Sequence, residues 1–187
     1  MPEQRKKRIS GRALVILFAV LIAVVAVTAW LNLRGSRGDS GINDDYTIAV
    51  SEQRGSGKAQ TVKTFSLGEI REMDAVTVHA QLQSAKEGSE EGRWTGVPVR
   101  DVIGKADGKL LRRTKTVLFK AGDGYTSAAS ATELRRGQAV LLVYSKDGKA
   151  LKHFNDGGTG PLRVLFTEDT YGNRSTQYLK TILCRTD

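Results

Sequence analysis

Residues Ala13 to Leu31 run for 19 positions, ALVILFAVLIAVVAVTAWL, without one charged side chain. At 1.5 Å per helical residue such a run covers about 28 Å, close to the ~30 Å hydrocarbon core of a bilayer. It predicts a single N-terminal transmembrane helix over residues 13–33. Residues 1–12 carry Arg5, Lys6, Lys7, Arg8 and Arg12 against Glu3, a net +4 that places this head on the cytoplasmic side of a membrane. Trp30 falls at the far end of the run, where an indole prefers the interface. The chain beyond the helix is then expected outside the cytoplasm. The alternative is a cleaved signal peptide and a secreted domain, since Val27-Thr28-Ala29 offers small residues to a signal peptidase. A run of 19 exceeds the ~7–15-residue core of a signal peptide, which favours the uncleaved anchor. No lipobox cysteine comes after it.

The segment 34–45, RGSRGDSGINDD, has the composition of a flexible tether, and a folded domain is expected over 46–187. The whole chain of 187 residues carries a net charge of +9, but beyond the head the excess falls to +5 and its signs are interspersed. That is a solvated surface rather than a basic stripe, and it argues against nucleic acid as a partner. The lone Cys184 cannot form an intramolecular disulfide, and His79 and His153 lie too far apart for zinc-ligand spacing.

Within the domain, short strands alternate with turns. Tyr46 to Ser51, Thr61 to Phe65 and Val76 to Ser84 read as strands, the last with Val76, Val78, Ala80 and Leu82 on one face and Thr77, His79, Gln81 and Gln83 on the other. Ser66 and Glu69 have capping-box spacing ahead of a short helix, as do Ser130 and Glu133. A polar loop is expected over 85–93 and a short helix over 99–106. Strands are expected over 116–119, 124–127, 139–144, 162–166 and 177–183, with Asp147-Gly148 as a hairpin turn and a glycine-rich loop over 156–161. The pattern is α+β, mostly β.

Common catalytic motifs are not met. Gly157-Gly158-Thr159-Gly160 and Gly55-Ser56-Gly57-Lys58 both lack the full phosphate-loop signature. His79 and His153 read as surface histidines without a base partner. Glu87, Glu90 and Glu91 read as a solvated acidic loop, without the spacing of a calcium loop. No catalytic and no metal-ligating residue is assigned.

The order of several phrases is more informative. Trp94-Thr95-Gly96-Val97-Pro98-Val99-Arg100-Asp101-Val102-Ile103 closely resembles a segment of the oxidoreductase molybdopterin-binding domain, the catalytic fold of sulfite oxidase and its bacterial relatives. Phe119 to Tyr125 resembles that family's Asp-Gly-Tyr strand turn. Leu141-Leu142-Val143-Tyr144 with Asp147-Gly148-Lys149 resembles its hairpin, and Gly160-Pro161-Leu162-Arg163-Val164 and Gly172 to Lys180 resemble its last two phrases. The matches keep family order from about Tyr46 to Leu183, and they imply a sulfite-oxidase-like molybdopterin-binding fold after the transmembrane helix.

The same resemblance implies altered chemistry. Where the family places a cysteine that gives its thiolate to molybdenum, Leu82-Gln83 is followed by Ser84, a harder and less acidic donor. The family's pterin-binding histidine before Gly-Gly-Pro is absent from Asp156-Gly157-Gly158-Thr159-Gly160-Pro161, and its Lys-Trp pair is Gln177-Tyr178. Arg163 and Arg174 remain, and with Ser84 they form a candidate pocket for a small anionic ligand. The expectation is a membrane-tethered, extracytoplasmic ligand-binding or accessory domain without a cofactor and without enzymatic activity. The alternative is a molybdopterin-dependent oxidoreductase with Ser84 at the metal-ligand position.

Overall fold

Alternating and continuous apolar strands assemble two sheets. The computed structural model describes residues 45–84, 88–169 and 171–186, so the head, the apolar run and nearly all of the tether lie outside the described residues. Among the described residues no helix is long and apolar enough to cross a membrane. The first sheet has the order β2-β1-β10-β5-β6, formed by β1 (Thr47–Arg54), β2 (Gln60–Ser66), β5 (Thr114–Ala121), β6 (Thr126–Ser130) and β10 (Leu179–Thr186). The second runs β3-β4-β7-β8, from β3 (Val76–Ser84), β4 (Gly88–Pro98), β7 (Val140–Lys146) and β8 (Lys149–Ala150), with β9 (Arg163–Phe166) also on β7. The described chain is mostly β, as expected, with four short helices: α1 (Leu67–Arg71), α2 (Val99–Ala106), α3 (Leu110–Arg113) and α4 (Ala131–Arg135).

The core lies between the sheets. Ile48, Val50, Phe65, Val117, Phe119 and Ile182 from the first sheet meet Val97, Val140, Leu142, Val164 and Phe166 from the second. Helix residues Leu67, Ile70, Val102, Ile103 and Leu134 join the same cluster. Because successive strand side chains point to opposite faces, Leu141, Val143 and Leu165 leave this core for a second cluster with Ala80, Leu82 and Trp94. That two-sided burial explains why β7 reads as an uninterrupted apolar run. Gly96 marks a register shift between β4 and β7; a Cβ there would collide with the Leu142 carbonyl oxygen, so only glycine lets the two backbones close.

Local signals explain the helix starts. At α1 both halves of the capping box are made: Ser66 Oγ accepts from the Glu69 N–H at 3.1 Å, and a Glu69 carboxylate oxygen accepts from the Ser66 N–H at 2.8 Å. At α4 only Ser130 Oγ caps, accepting from the Glu133 N–H at 3.1 Å. The Glu133 carboxylate goes elsewhere.

Several expected boundaries change. The loop expected over 85–93 is strand from Gly88 onward, zipped to β3 from Val76↔Gly96 to Ser84↔Gly88; residues 85–87 lie outside the described residues. Its polar composition misled because only alternate residues turn toward apolar neighbours, and Glu90 on that parity is held half-buried by charge pairing. β6 begins at Thr126 rather than 124, and β10 runs over 179–186 rather than 177–183, since Tyr178 takes a positive φ of 50° that no strand residue adopts. Helix α3 is an addition with weak sequence signal.

An ion pair closes the end of the first sheet. Arg113 of α3 donates from Nε to Glu52 Oε1 at 2.8 Å and from its second nitrogen to Oε2 at 3.2 Å, while the Thr186 hydroxyl donates to Oε1 at 3.1 Å. The Arg113 hydrogen bonds, against the cost of burial, push the Glu52 carboxyl down to about 2 from an ordinary 4.5. A depressed carboxylate contributes stability above its unfolded pKa that is lost as pH falls through its folded one. The stability gap between the wild type and Glu52→Gln should therefore be full above about pH 4.5 and vanish near pH 2, as read from denaturant unfolding at each pH.

Candidate functional site

Strands β3 and β9 both meet the loop 171–178. The Gln83 backbone at the end of β3 bridges to Tyr171, a Cβ at Gly172 would come within 3.6 Å of the Leu82 Cβ, and the Ser175 hydroxyl accepts from Arg163 and donates to the Val164 carbonyl of β9. The loop thus joins the strand end bearing Ser84 to the strand start bearing Arg163. Ser84 is the last residue of β3, paired with Gly88; its side chain lies outside the described residues.

Arg163 is the most enclosed cation of the region, its side chain only 5% exposed. Its guanidinium donates to Glu90 Oε2 at 2.8 Å and from Nε to Ser175 Oγ at 2.6 Å, and it lies 5.2 Å from the centre of the buried Trp94 ring. Lys146 donates to the other Glu90 oxygen at 3.1 Å and also lies 5.2 Å from that ring. Burial disfavours the Glu90 carboxylate, but the hydrogen bonds and charges of Arg163 and Lys146 outweigh it and hold its pKa below the usual range. Glu90 is therefore a structural counter-ion, not part of a solvated acidic loop.

Arg174 is neutralised twice. It meets Asp169 at 2.8 Å and 2.5 Å and Glu133 at 3.1 Å and 2.9 Å, and its guanidinium lies 4.1 Å from the Phe166 ring centre. The hydrogen bonds to Asp169 and Glu133 hold its pKa above the ordinary value. No sequence signal points to these partners; the capping-box spacing of Glu133 predicts the Ser130 N–H as its partner, and the carboxylate instead binds Arg174. The structure therefore brings Arg163 and Arg174 to the same loop, but each faces carboxylates of its own chain.

The glycine-rich loop opens on an aromatic cluster. His153 packs edge-on to Tyr46 and Tyr178 at 6.1 and 5.3 Å, and Phe154 stacks on Tyr178 at 5.4 Å. The Lys180 ammonium sits 3.8 Å from the Tyr46 ring centre, its pKa lowered by burial. His153 is therefore packed among rings, its Nδ1 accepting from the Asn155 N–H at 3.2 Å. His79 is exposed on β3 and meets Glu91 at 3.3 Å. Cys184 is buried on β10, where desolvation pushes its thiol up to about 11.

Two open clefts are formed by described residues. One of about 420 Å³ lies over Phe65 and Met73 and is rimmed by Lys63, Lys105 and acids including Glu72 and Asp101. The other, about 260 Å³, is lined by Asp123, Tyr125, Gly172, Asn173, Ser175 and Gln177. Neither lining includes Ser84, Arg163 or Arg174. Among the described residues no group of three or more His, Cys, Asp or Glu is placed to hold a metal ion.

The comparisons with known proteins agree with this architecture. The family model of the oxidoreductase molybdopterin binding domain matches residues 39–187. Among solved structures, the sulfane dehydrogenase SoxCD from Paracoccus pantotrophus is similar with a TM-score of 0.60 and 16% identity, over 77% of this chain and 39% of that one. The match spans well under half of that chain's length. A search of the curated proteins found no match.

Breaking one of the internal pairs leaves half-buried carboxylates without a counter-charge. Arg174→Ala is expected to destabilise the domain by about 2 kcal/mol, somewhat less than for a fully buried pair. In the Glu133→Ala background the same substitution should cost less, and a double-mutant cycle in urea measures the difference.

Proposed function

This chain belongs, through residues 39–187, to the oxidoreductase molybdopterin binding domain family, and we propose that it is a membrane-tethered, extracytoplasmic member that binds a ligand or serves as an accessory protein without molybdenum chemistry. The observation that carries this reading is the donor set. A pterin-held molybdenum takes a soft thiolate from the protein, and its phosphate arm takes cations. Ser84 stands at the family's thiolate position, and the single thiol, Cys184, is buried on another strand and protonated well above neutral pH. The two retained arginines are engaged by Glu90, Glu133 and Asp169. Gln177 replaces the family's lysine and adds no charge. The residues present do not fit the group.

Membrane tethering rests on the charge-free run of residues 13–31 behind a basic head. The cleaved-signal alternative differs only in whether the domain stays attached.

Two measurements test the proposal. Full-length protein purified from its native membrane should carry molybdenum far below one atom per chain. Near-stoichiometric metal that is released by Ser84→Ala would establish the oxidoreductase alternative. Protease added to spheroplasts should remove the domain while leaving the N-terminal head; a protected domain with a cleaved head would reverse the orientation.

A further inference from the structure

We propose that the cleft between the Asp123-Gly124-Tyr125 turn and the Gly172–Gln177 segment binds a neutral polyhydroxylated ligand, in chemical class a saccharide ring. The proposal rests on the reading that this domain binds a ligand without molybdenum, and it names the ligand class.

The lining groups that remain unspent set the chemistry. Asp123 accepts the Tyr125 N–H through Oδ1 at 2.9 Å, leaving its second oxygen open to the cleft. The Tyr125 hydroxyl donates to the Asn173 carbonyl and keeps its lone pairs. The side-chain amides of Asn173 and Gln177 make no hydrogen bond within the described structure, and each brings two donor hydrogens and an acceptor oxygen. The cleft thus offers donors and acceptors in mixture, which is what a ring bearing adjacent hydroxyl groups satisfies.

Charge narrows the class. Among the described residues no Lys, Arg or His lines the cleft, and the nearby guanidinium of Arg163 is separated from it by its own bond to Ser175 Oγ. A phosphate, sulfite or molybdate would find amide donors but no cation there, and would face the Asp123 carboxylate. A divalent cation would need several oxygen ligands, whereas this lining has one carboxylate.

The aromatic surface supplies the remaining chemistry. Tyr125 lines the cleft with 44% of its surface exposed, and Tyr171, 63% exposed, immediately precedes the lining Gly172. An exposed tyrosine presents an apolar ring and a polar tip, matching a pyranose with C–H groups on its faces and hydroxyls at its edge. A volume of about 260 Å³ falls just below that of drug-sized pockets and suits one such ring. The wall is also fixed in advance: Ser127 and Thr176 share a 2.6 Å hydrogen bond, and the Val164 N–H donates to the Thr176 carbonyl at 2.8 Å. Binding then orders little protein.

The test uses the full chain in a detergent without a sugar headgroup, and saturation-transfer NMR observed on the probe. The probes are maltotriose, cellotriose and tri-N-acetylchitotriose, with choline and inorganic phosphate as charged counterparts. At least one saccharide should receive saturation at its ring protons with Kd on the order of 1 mM. Tyr125→Ala and Gln177→Ala should each weaken it about fivefold or more, as for anchoring contacts in small sites. Lys63→Ala in the other cleft should leave it unchanged, and unaltered melting curves identify the variants that remain folded; Asn173→Ala substitutes for any that does not. Absence of transfer to all three saccharides, transfer that survives the substitutions, or binding of choline or phosphate in their place would overturn the proposal. Metal content of the same preparation reports separately on the parent reading.

Discussion

A guanidinium withdrawn from water must find its counter-charge inside the protein, and Arg163 is the point at which this requirement organises the second sheet. Its partners are Glu90 and the ring of Trp94, both on β4, and Ser175 on the loop 171–178. The penalty for leaving such a charge unmatched is several kcal/mol. Strand β9, the polar half of β4 and the loop are therefore positioned as one set. Lys146 adds a second cation to the same carboxylate, so that Glu90 bridges β4 to both β7 and β9.

The same loop holds Arg174 between Glu133 at the start of α4 and Asp169, over the ring of Phe166. Electrostatic satisfaction within the chain has a chemical corollary, since a cation with two carboxylates has little attraction left for an anion. The family's fold persists because its turns and cores persist: the Asp147-Gly148 hairpin, the close approach at Gly96, and the buried apolar residues Val164, Leu165 and Phe166 of β9. These fold-bearing residues are distinct from Ser84, Arg163 and Arg174, so the fold by itself does not fix the chemistry.

Much of the fold was legible because its signals are local. The capping box at Ser66, the Ser130 cap, the alternation over 76–84 and the apolar run of β7 each arise from spacing along a few residues. The polar half of β4 was not legible, since what makes it a strand is pairing with β3 and a charge partner seventy-three residues away in sequence. The start of β10 shifted for a related reason: Tyr178 turns out of the extended conformation to lay its ring against Gly122, where a Cβ would collide with it. For the candidate site, sequence resemblance named Ser84, Arg163 and Arg174 but carried no information on the carboxylates that pair with the two arginines. Asp123, Asn173 and Gln177 converge only through the loop, and no spacing rule links them.

The pairing of β1 with β10 has a mechanical consequence. The two strands run parallel, in register from Ala49↔Thr181 to Arg54↔Thr186, so the start of one and the end of the other lie at opposite ends of the same ladder. A pull applied between Tyr46 and Thr186 would slide the strands along each other and load their slanted hydrogen bonds together rather than one after another. The edge β2 and the hairpin β5-β6 are not on that line of force. A domain held by its first strand would therefore resist tension through the middle of its first sheet, where Val50, Ile182 and Cys184 are fully buried.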